Sequence, residues 1–242
     1  MREITFILLT LFSLNVFANE SLFNTANERY SQEKYSEAIL LYDSILTKGL
    51  ESSELYYNLG NCYYKTNDWA NAIWHYEKSL QLTKHEKTDK NLALTRLKIV
   101  DRIEPLPQLF YKKWWLSLQS FLNTKHWQYL SILSIFLALV FGILHKLLSK
   151  NTKNYFNFSL YIALILFLIS LSSYQNTVVK QEGIIFESAV VIKSAPSSNS
   201  TELFTLHAGT KLEIIDAIGN WIQVKIANGN NGWLLQNSVK EL

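Results

Sequence analysis

Shifted by 34 positions, the N-terminal part of this chain falls onto itself. Asn27 meets Asn61, Tyr30 meets Tyr64, Ala38 meets Ala72, Ile39 meets Ile73, Tyr42 meets Tyr76 and Leu46 meets Leu80. Ala26 falls on Gly60 and Tyr35 on Trp69, each a like-for-like change. A period of this length marks a stacked repeat, in which one supersecondary unit cannot bury its apolar face alone and needs a neighbour. Here the unit is a helical hairpin. Small residues at the helix crossing (Ala26 or Gly60, Ala38 or Ala72) let the backbones approach, and the rings of Tyr35, Tyr42, Trp69 and Tyr76 fill the spaces between hairpins.

The second copy runs from Tyr56-Tyr57-Asn58-Leu59-Gly60-Asn61 through Tyr63, Ala72, Tyr76 and Leu80, and it resembles the tetratricopeptide repeat. Thr83-Lys84 stands where that family usually places a proline. Two such repeats bury little core, and about three are needed for stability. Asn91-Leu92-Ala93 echoes Asn58-Leu59-Gly60, and Ala93, Leu97 and Val100 share one helical face, which predicts a capping helix over 86–103. Pro105 and Pro107 end it. The repeat domain with its cap therefore spans 19–103.

Residues 1–18 read as a secretory signal peptide, with Arg2 at the start, an apolar run from Ile4 to Phe17, and Val16-Phe17-Ala18 before a cut at Asn19. An uncleaved N-terminal anchor is the alternative. Residues 104–126 form a linker rich in rings and lysines (Phe110, Tyr111, Lys112, Lys113, Trp114, Trp115, Phe121), a mixture favoured at a membrane interface. Packing of this linker against the repeats is the other option. Trp127 to Leu144 and Tyr155 to Tyr174 carry no charge, and each is long enough to approach the hydrocarbon thickness as a helix. Two transmembrane helices are expected, at 127–148 and 155–175. The loop between them, 149–154, belongs to a lysine-bearing, acid-free stretch that the positive-inside rule places in the cytoplasm. An exported N-terminus followed by two crossings puts both soluble domains in the periplasm, on a bacterial inner membrane.

Beyond the second span, five short alternating segments punctuated by turns predict a small all-β barrel over 185–242. The turn at Asn228-Gly229-Asn230-Asn231-Gly232 is a hairpin signal. Ala195-Pro196-Ser197, Leu206 with Gly209-Thr210, Gly219-Asn220-Trp221 and Gly232-Trp233-Leu234 resemble a bacterial SH3 domain. The expected fold class is thus a multi-domain membrane protein: all-α tetratricopeptide hairpins, a two-helix transmembrane hairpin and a C-terminal SH3-like barrel.

The pattern offers little catalytic chemistry. Net charge is +3, from 23 basic and 20 acidic side chains, without the concentrated basic stripe that nucleic acid requires. Cys62 is the sole cysteine, so no disulfide within the chain and no multi-cysteine metal site can form. It sits where a repeat helix wants a small residue, which favours a structural role. The five histidines are scattered without metal-ligand spacing, and there is no phosphate loop or nucleophile elbow. The expectation is a protein that is not an enzyme and uses no metal or cofactor.

Binding is the better expectation. The tetratricopeptide resemblance implies that the first helix of each hairpin lines a concave groove, here with Phe23, Asn27, Tyr30, Tyr57, Asn58, Asn61, Tyr64 and Lys65. Phe23 and Asn91 stand where a carboxylate-clamp member would place a lysine and an arginine. The groove therefore reads as aromatic and amide-lined, suited to an extended or helical protein segment. Structural packing of Tyr30 and Tyr64 between hairpins is an equal alternative. On the barrel, Leu235 and Ser238 replace the proline and tyrosine that would read polyproline, which leaves Trp221 and Trp233 as surface candidates, with a place in the core as the alternative for either ring.

The whole order, with Asp101 to Pro107 leading to Trp114-Trp115, resembles the family of BatE-like tetratricopeptide proteins from the Bacteroides aerotolerance (Bat) operon. That resemblance implies a scaffold beside von Willebrand factor A-type membrane proteins, linked to aerotolerance or envelope stress. The alternative function is a wall-tethering module whose barrel binds peptidoglycan.

Overall fold

A computed structural model describes residues 20–107, 109–148, 153–175 and 181–242. The expected signal peptide, 1–18, and most of the expected cytoplasmic loop, 149–154, lie outside the described residues. The chain forms two compact units. One joins the segment ending at Pro105 to Glu182–Leu242, and the other is Leu106–Gln181.

In the first unit, α1 (20–31) and α2 (Tyr35–Leu46) make one hairpin, and α3 (Ser53–Lys65) and α4 (Trp69–Leu82) make the next. Ser52 and Asp68 cap α3 and α4 by accepting from Leu55 N–H (3.0 Å) and Asn71 N–H (3.1 Å), satisfying amides the helices leave open. Glu33 and Asn67, one repeat apart, both adopt the left-handed conformation (φ 61° and 62°) that turns each hairpin. The small crossing residues act as anticipated: Ala26, Ala38 and Ala72 are fully buried. A Cβ on Gly60 would lie 2.5 Å from the Tyr76 ring.

The cap differs from the expectation. Helix α5 (Glu86–Arg96) ends well short of residue 103, and its inner face is Thr88, Leu92 and Thr95. Ala93, Leu97 and Val100, predicted to face inward, are exposed, the last two at 59% and 71%. The threonines mislead a hydrophobicity count because Thr95 Oγ1 donates to the Asn91 carbonyl (2.7 Å), which makes it compatible with burial.

The β part is a seven-stranded sheet rather than five strands, in the order β3-β2-β6-β5-β4-β1-β7. Its strands are β1 (Gln181–Ile185), β2 (Ala189–Lys193), β3 (Glu202–His207), β4 (Lys211–Ile218), β5 (Trp221–Lys225), β6 (Asn231–Leu235) and β7 (Val239–Glu241). The two missed strands pair with each other, Ile184 opposite Lys240. The predicted boundary at 185 cuts β1 off. Ile185, Val190, Ile192, Leu206, Leu212, Ile222, Val224, Ile226 and Leu234 fill one apolar core. Trp233 belongs to the interior, at 8% exposure, which corrects its assignment to the surface. Trp221 is half-buried.

The second unit holds α6 (Phe110–Ser120), α7 (Thr124–Leu148) and α8 (Lys153–Tyr174). The predicted linker over 104–126 thus contains a helix. α7 begins at Thr124, before the predicted 127, and α8 at Lys153 rather than 155. Thr124–Leu147 and Asn154–Tyr174 are long and apolar enough to cross a membrane.

Candidate partner groove and the seam behind it

The repeat is written in hydrogen bonds and ring contacts as well as in residue identities. Tyr42 Oη donates to Asn27 Oδ1 (2.5 Å), and one repeat later Tyr76 Oη donates to Asn61 Oδ1 (2.8 Å). Each of those oxygens takes a second donor from the next hairpin position, Asn58 Nδ2 at 3.0 Å and Asn91 Nδ2 at 2.8 Å. Asn91 also reaches the Tyr57 hydroxyl at 3.3 Å. The rings repeat as well. Phe23 meets Tyr42 as Tyr57 meets Tyr76, with centroids 5.7 and 6.1 Å apart. Tyr30 meets Tyr35 as Tyr64 meets Trp69, at 5.3 and 5.4 Å.

The eight predicted groove residues therefore do not share one role. Asn27, Asn58 and Asn61 form an amide ladder that sets hairpin on hairpin, so much of their hydrogen-bonding capacity is spent internally. Tyr30 and Tyr64 close the hairpin turns by edge-to-face packing. Phe23, Tyr57 and the ladder residues remain half-buried along successive first helices, and Lys65 is exposed. Their ring contacts and hydrogen bonds all stay within the repeats. The Asn27 and Asn61 amide nitrogens have no partner among the described residues, leaving two donors for a ligand carbonyl or carboxylate.

Two candidate reactive groups are settled by burial. Cys62 is fully buried; desolvation first, then the Asp43 charge, pushes its thiol up to about 12. A thiol in that condition is a poor nucleophile at neutral pH. His75, 4% exposed, packs on Tyr63 with ring centroids 4.9 Å apart, and its Nδ1 lies 2.8 Å from the Asn71 carbonyl. Burial lowers its pKa to about 4. Among the described residues no cluster of histidine, cysteine or carboxylate side chains could hold a metal.

Linear reading missed the seam between the repeats and the β-sheet. Strand β1 is buried on both faces, and alternation along it sends adjacent side chains to different cores. Ile185 enters the sheet core, whereas Ile184 packs with Tyr56, Ile73, Trp74 and Leu92 of the repeats. Around it, Trp74 Nε1 donates to the Glu241 carbonyl (2.9 Å), and Lys240 Nζ lies 3.6 Å from the Trp74 ring centroid.

Two ionic clusters accompany that apolar contact. Glu77, 7% exposed, receives Arg96 from α5 and Lys211 from β4, the latter at 2.9 Å. Asp101 accepts from the His207 amide (2.6 Å), His207 Nδ1 (2.8 Å) and Thr210 Oγ1 (2.7 Å). Burial alone would raise the Asp101 carboxyl; the Thr210 and His207 hydrogen bonds outweigh it and hold the group below its ordinary value. Gly209 closes the seam. Its φ is +90°, and a Cβ there would lie 2.6 Å from Ile99 Cγ2. Asp101, expected inside the capping helix, instead lies beyond the end of α5 at Arg96, where it is free to reach β3.

Compared with known families, residues 188–240 match the bacterial SH3 domain and residues 53–86 match the tetratricopeptide repeat. No curated protein matches the chain. The first hairpin lies outside the matched residues, yet it repeats the second's tyrosine–asparagine hydrogen bond and two of its ring pairs. The chain carries a tetratricopeptide repeat and a bacterial SH3 domain, and in this structure the two are docked together.

Proposed function

We propose that the protein is a non-enzymatic, membrane-anchored scaffold whose repeat groove holds a segment of a partner protein at the periplasmic face of an inner membrane. The observation that carries this is the division of labour between the two sides of the repeats. The SH3 domain occupies α4 and the segment after α5, while the row of first helices keeps Phe23, Tyr57, Lys65 and two uncommitted amide nitrogens for a ligand. A docked repeat–SH3 pair also has to share one compartment. Two candidate spans between them satisfy that only by crossing and returning, which supports a hairpin anchor with both domains on one side.

By the resemblance in domain order, the partners are membrane proteins of the von Willebrand factor A type in a Bat-type aerotolerance or envelope-stress complex. Site-specific photo-crosslinking in intact cells tests this. A crosslinker at Lys65 is expected to capture a membrane protein, whereas one at Val191, on the outer face of β2, captures none. Failure at Lys65 with full-length protein in the membrane would remove the groove from consideration. Wall tethering is the second function, favoured by the bacterial SH3 match and by an open depression lined by Asn220, Leu235, Gln236 and Asn237 beside Trp221. Co-sedimentation of the purified protein with sacculi, lost in Leu235→Asp, would select it.

A further inference from the structure

Helix α6 carries a surface that the partner groove does not explain. At about 100° per residue, Phe110, Trp114 and Phe121 fall within about 40° of one another on a single face. They are exposed at 84%, 68% and 82%. A second face, about 140° round the helix, is anchored: Trp115 Nε1 and Gln119 Nε2 both donate to Ser172 Oγ, at 3.0 and 2.6 Å. Trp127 Nε1 also donates to the Gln119 carbonyl at 3.0 Å. Ser172 lies in the last turn of α8, and Thr124, the first residue of α7, sits 3.1 Å from Ser173 through their hydroxyls. The helix is therefore held rigidly where both candidate spans have an end. Its remaining side carries the exposed Lys112, Lys113 and Ser120.

We propose that α6 is an interfacial helix whose Phe110–Trp114–Phe121 stripe enters the lipid bilayer at the headgroup–acyl boundary, with an anionic membrane as its partner. This rests on α7 and α8 spanning the membrane. Two observations select lipid over other occupants. The serine contacts fix the rotation of the stripe at the end of two helices whose own apolar side chains, Leu133, Phe136, Leu168 and Leu171 among them, are themselves exposed. The charge also fits. No acidic residue occurs between Glu104 and Glu182, while Lys112, Lys113 and Lys125 surround this end of the hairpin. An amphipathic helix of this kind lies in the plane of the interface with its apolar face sunk about 5–10 Å, strengthened by attraction of its lysines to anionic lipid.

Single cysteines test the orientation in the full chain, since native Cys62 is buried and stays unlabelled. Fluorophores at 110, 114 and 121, at 112, 113 and 120, and at Leu139 within α7 are compared in nanodiscs containing phosphatidylglycerol and nitroxide-bearing lipid. Quenching roughly threefold stronger at the ring positions than at 112, 113 and 120 is expected for a face at interfacial depth. The contrast between the ring positions and 120 should shrink in Lys112→Gln/Lys113→Gln, and the full contrast should shrink in zwitterionic nanodiscs. Weak quenching at all six positions with Leu139 strongly quenched would overturn the proposal and leave the spans standing. Leu139 accessible to aqueous quencher would sink both. Ring positions shielded from lipid and water alike would mean that a protein covers the stripe, and this too would overturn the proposal.

Discussion

The seam makes a sharp thermodynamic prediction through Ile184. Its side chain is fully buried, yet it serves the repeat core from a strand of the SH3 domain. Ile184→Ala removes three carbons, worth about 0.8 kcal/mol each in transfer. The cavity they leave raises the total to about 3 kcal/mol, within the usual range for such truncations. If repeats and SH3 domain open as one cooperative unit, amides in both exchange hydrogen faster by the same factor, roughly a hundredfold for those protected by global opening. Hydrogen exchange with mass spectrometry on the full chain in nanodiscs reads this directly, comparing peptides from α3–α4 with peptides from β5–β6. Val191→Ala, 36% exposed on β2, is the control and should change little. Faster exchange confined to the β peptides, with α4 unaffected, would refute the coupling.

Other outcomes follow from the buried polar groups. His75 stays neutral in the folded state down to about pH 4, while the unfolded chain protonates near 6.5. Stability is then lost as pH falls from about 6.5 to 4, by up to about 3 kcal/mol, and levels off below; thermal melts of His75→Gln should show a flatter limb in that window. Asn61→Ala strips the acceptor from both Tyr76 and Asn91, costing about 1–3 kcal/mol by denaturant titration. Lys65→Ala, by contrast, should leave stability within about 0.5 kcal/mol while weakening partner crosslinking, which separates the ladder from the groove.

What the sequence discloses depends on how locally each feature is encoded. The 34-residue identities announce the hairpins because Ala26, Ala38, Ala72 and Gly60 meet partners from their own or an adjacent helix. The β2–β6 strands are legible from alternation and turn residues. β1 and β7 are not, because Gly183-Ile184-Ile185 is buried on both faces and shows no alternation, and β7 is only Val239–Glu241. The cap was misread for a related reason: a helix whose inner face is Thr88, Leu92 and Thr95 hides its orientation from a hydrophobic count. Among the groove residues, the position of the asparagines was legible but their employment was not. The same amide can greet a ligand or bind a neighbouring hairpin, and only the Tyr42 and Tyr76 hydroxyls decide between them. Trp233 fell inside because its strand runs through the middle of the sheet.

The hydroxyl contacts at the mouth of the α7–α8 hairpin have a consequence for how the two folded domains find one another. Along the chain, the repeats and the SH3 domain are separated by everything from Leu106 to Gln181. With Thr124 held against Ser173, most of that separation is short-circuited, and the working tether shrinks to the segments before α7 and after α8. Closure entropy grows only slowly with loop length, but a shorter tether raises the effective concentration of one domain at the other. The hairpin therefore acts as a clasp. Separating α7 from α8 should therefore lengthen the tether and weaken the docking of repeats on SH3 domain.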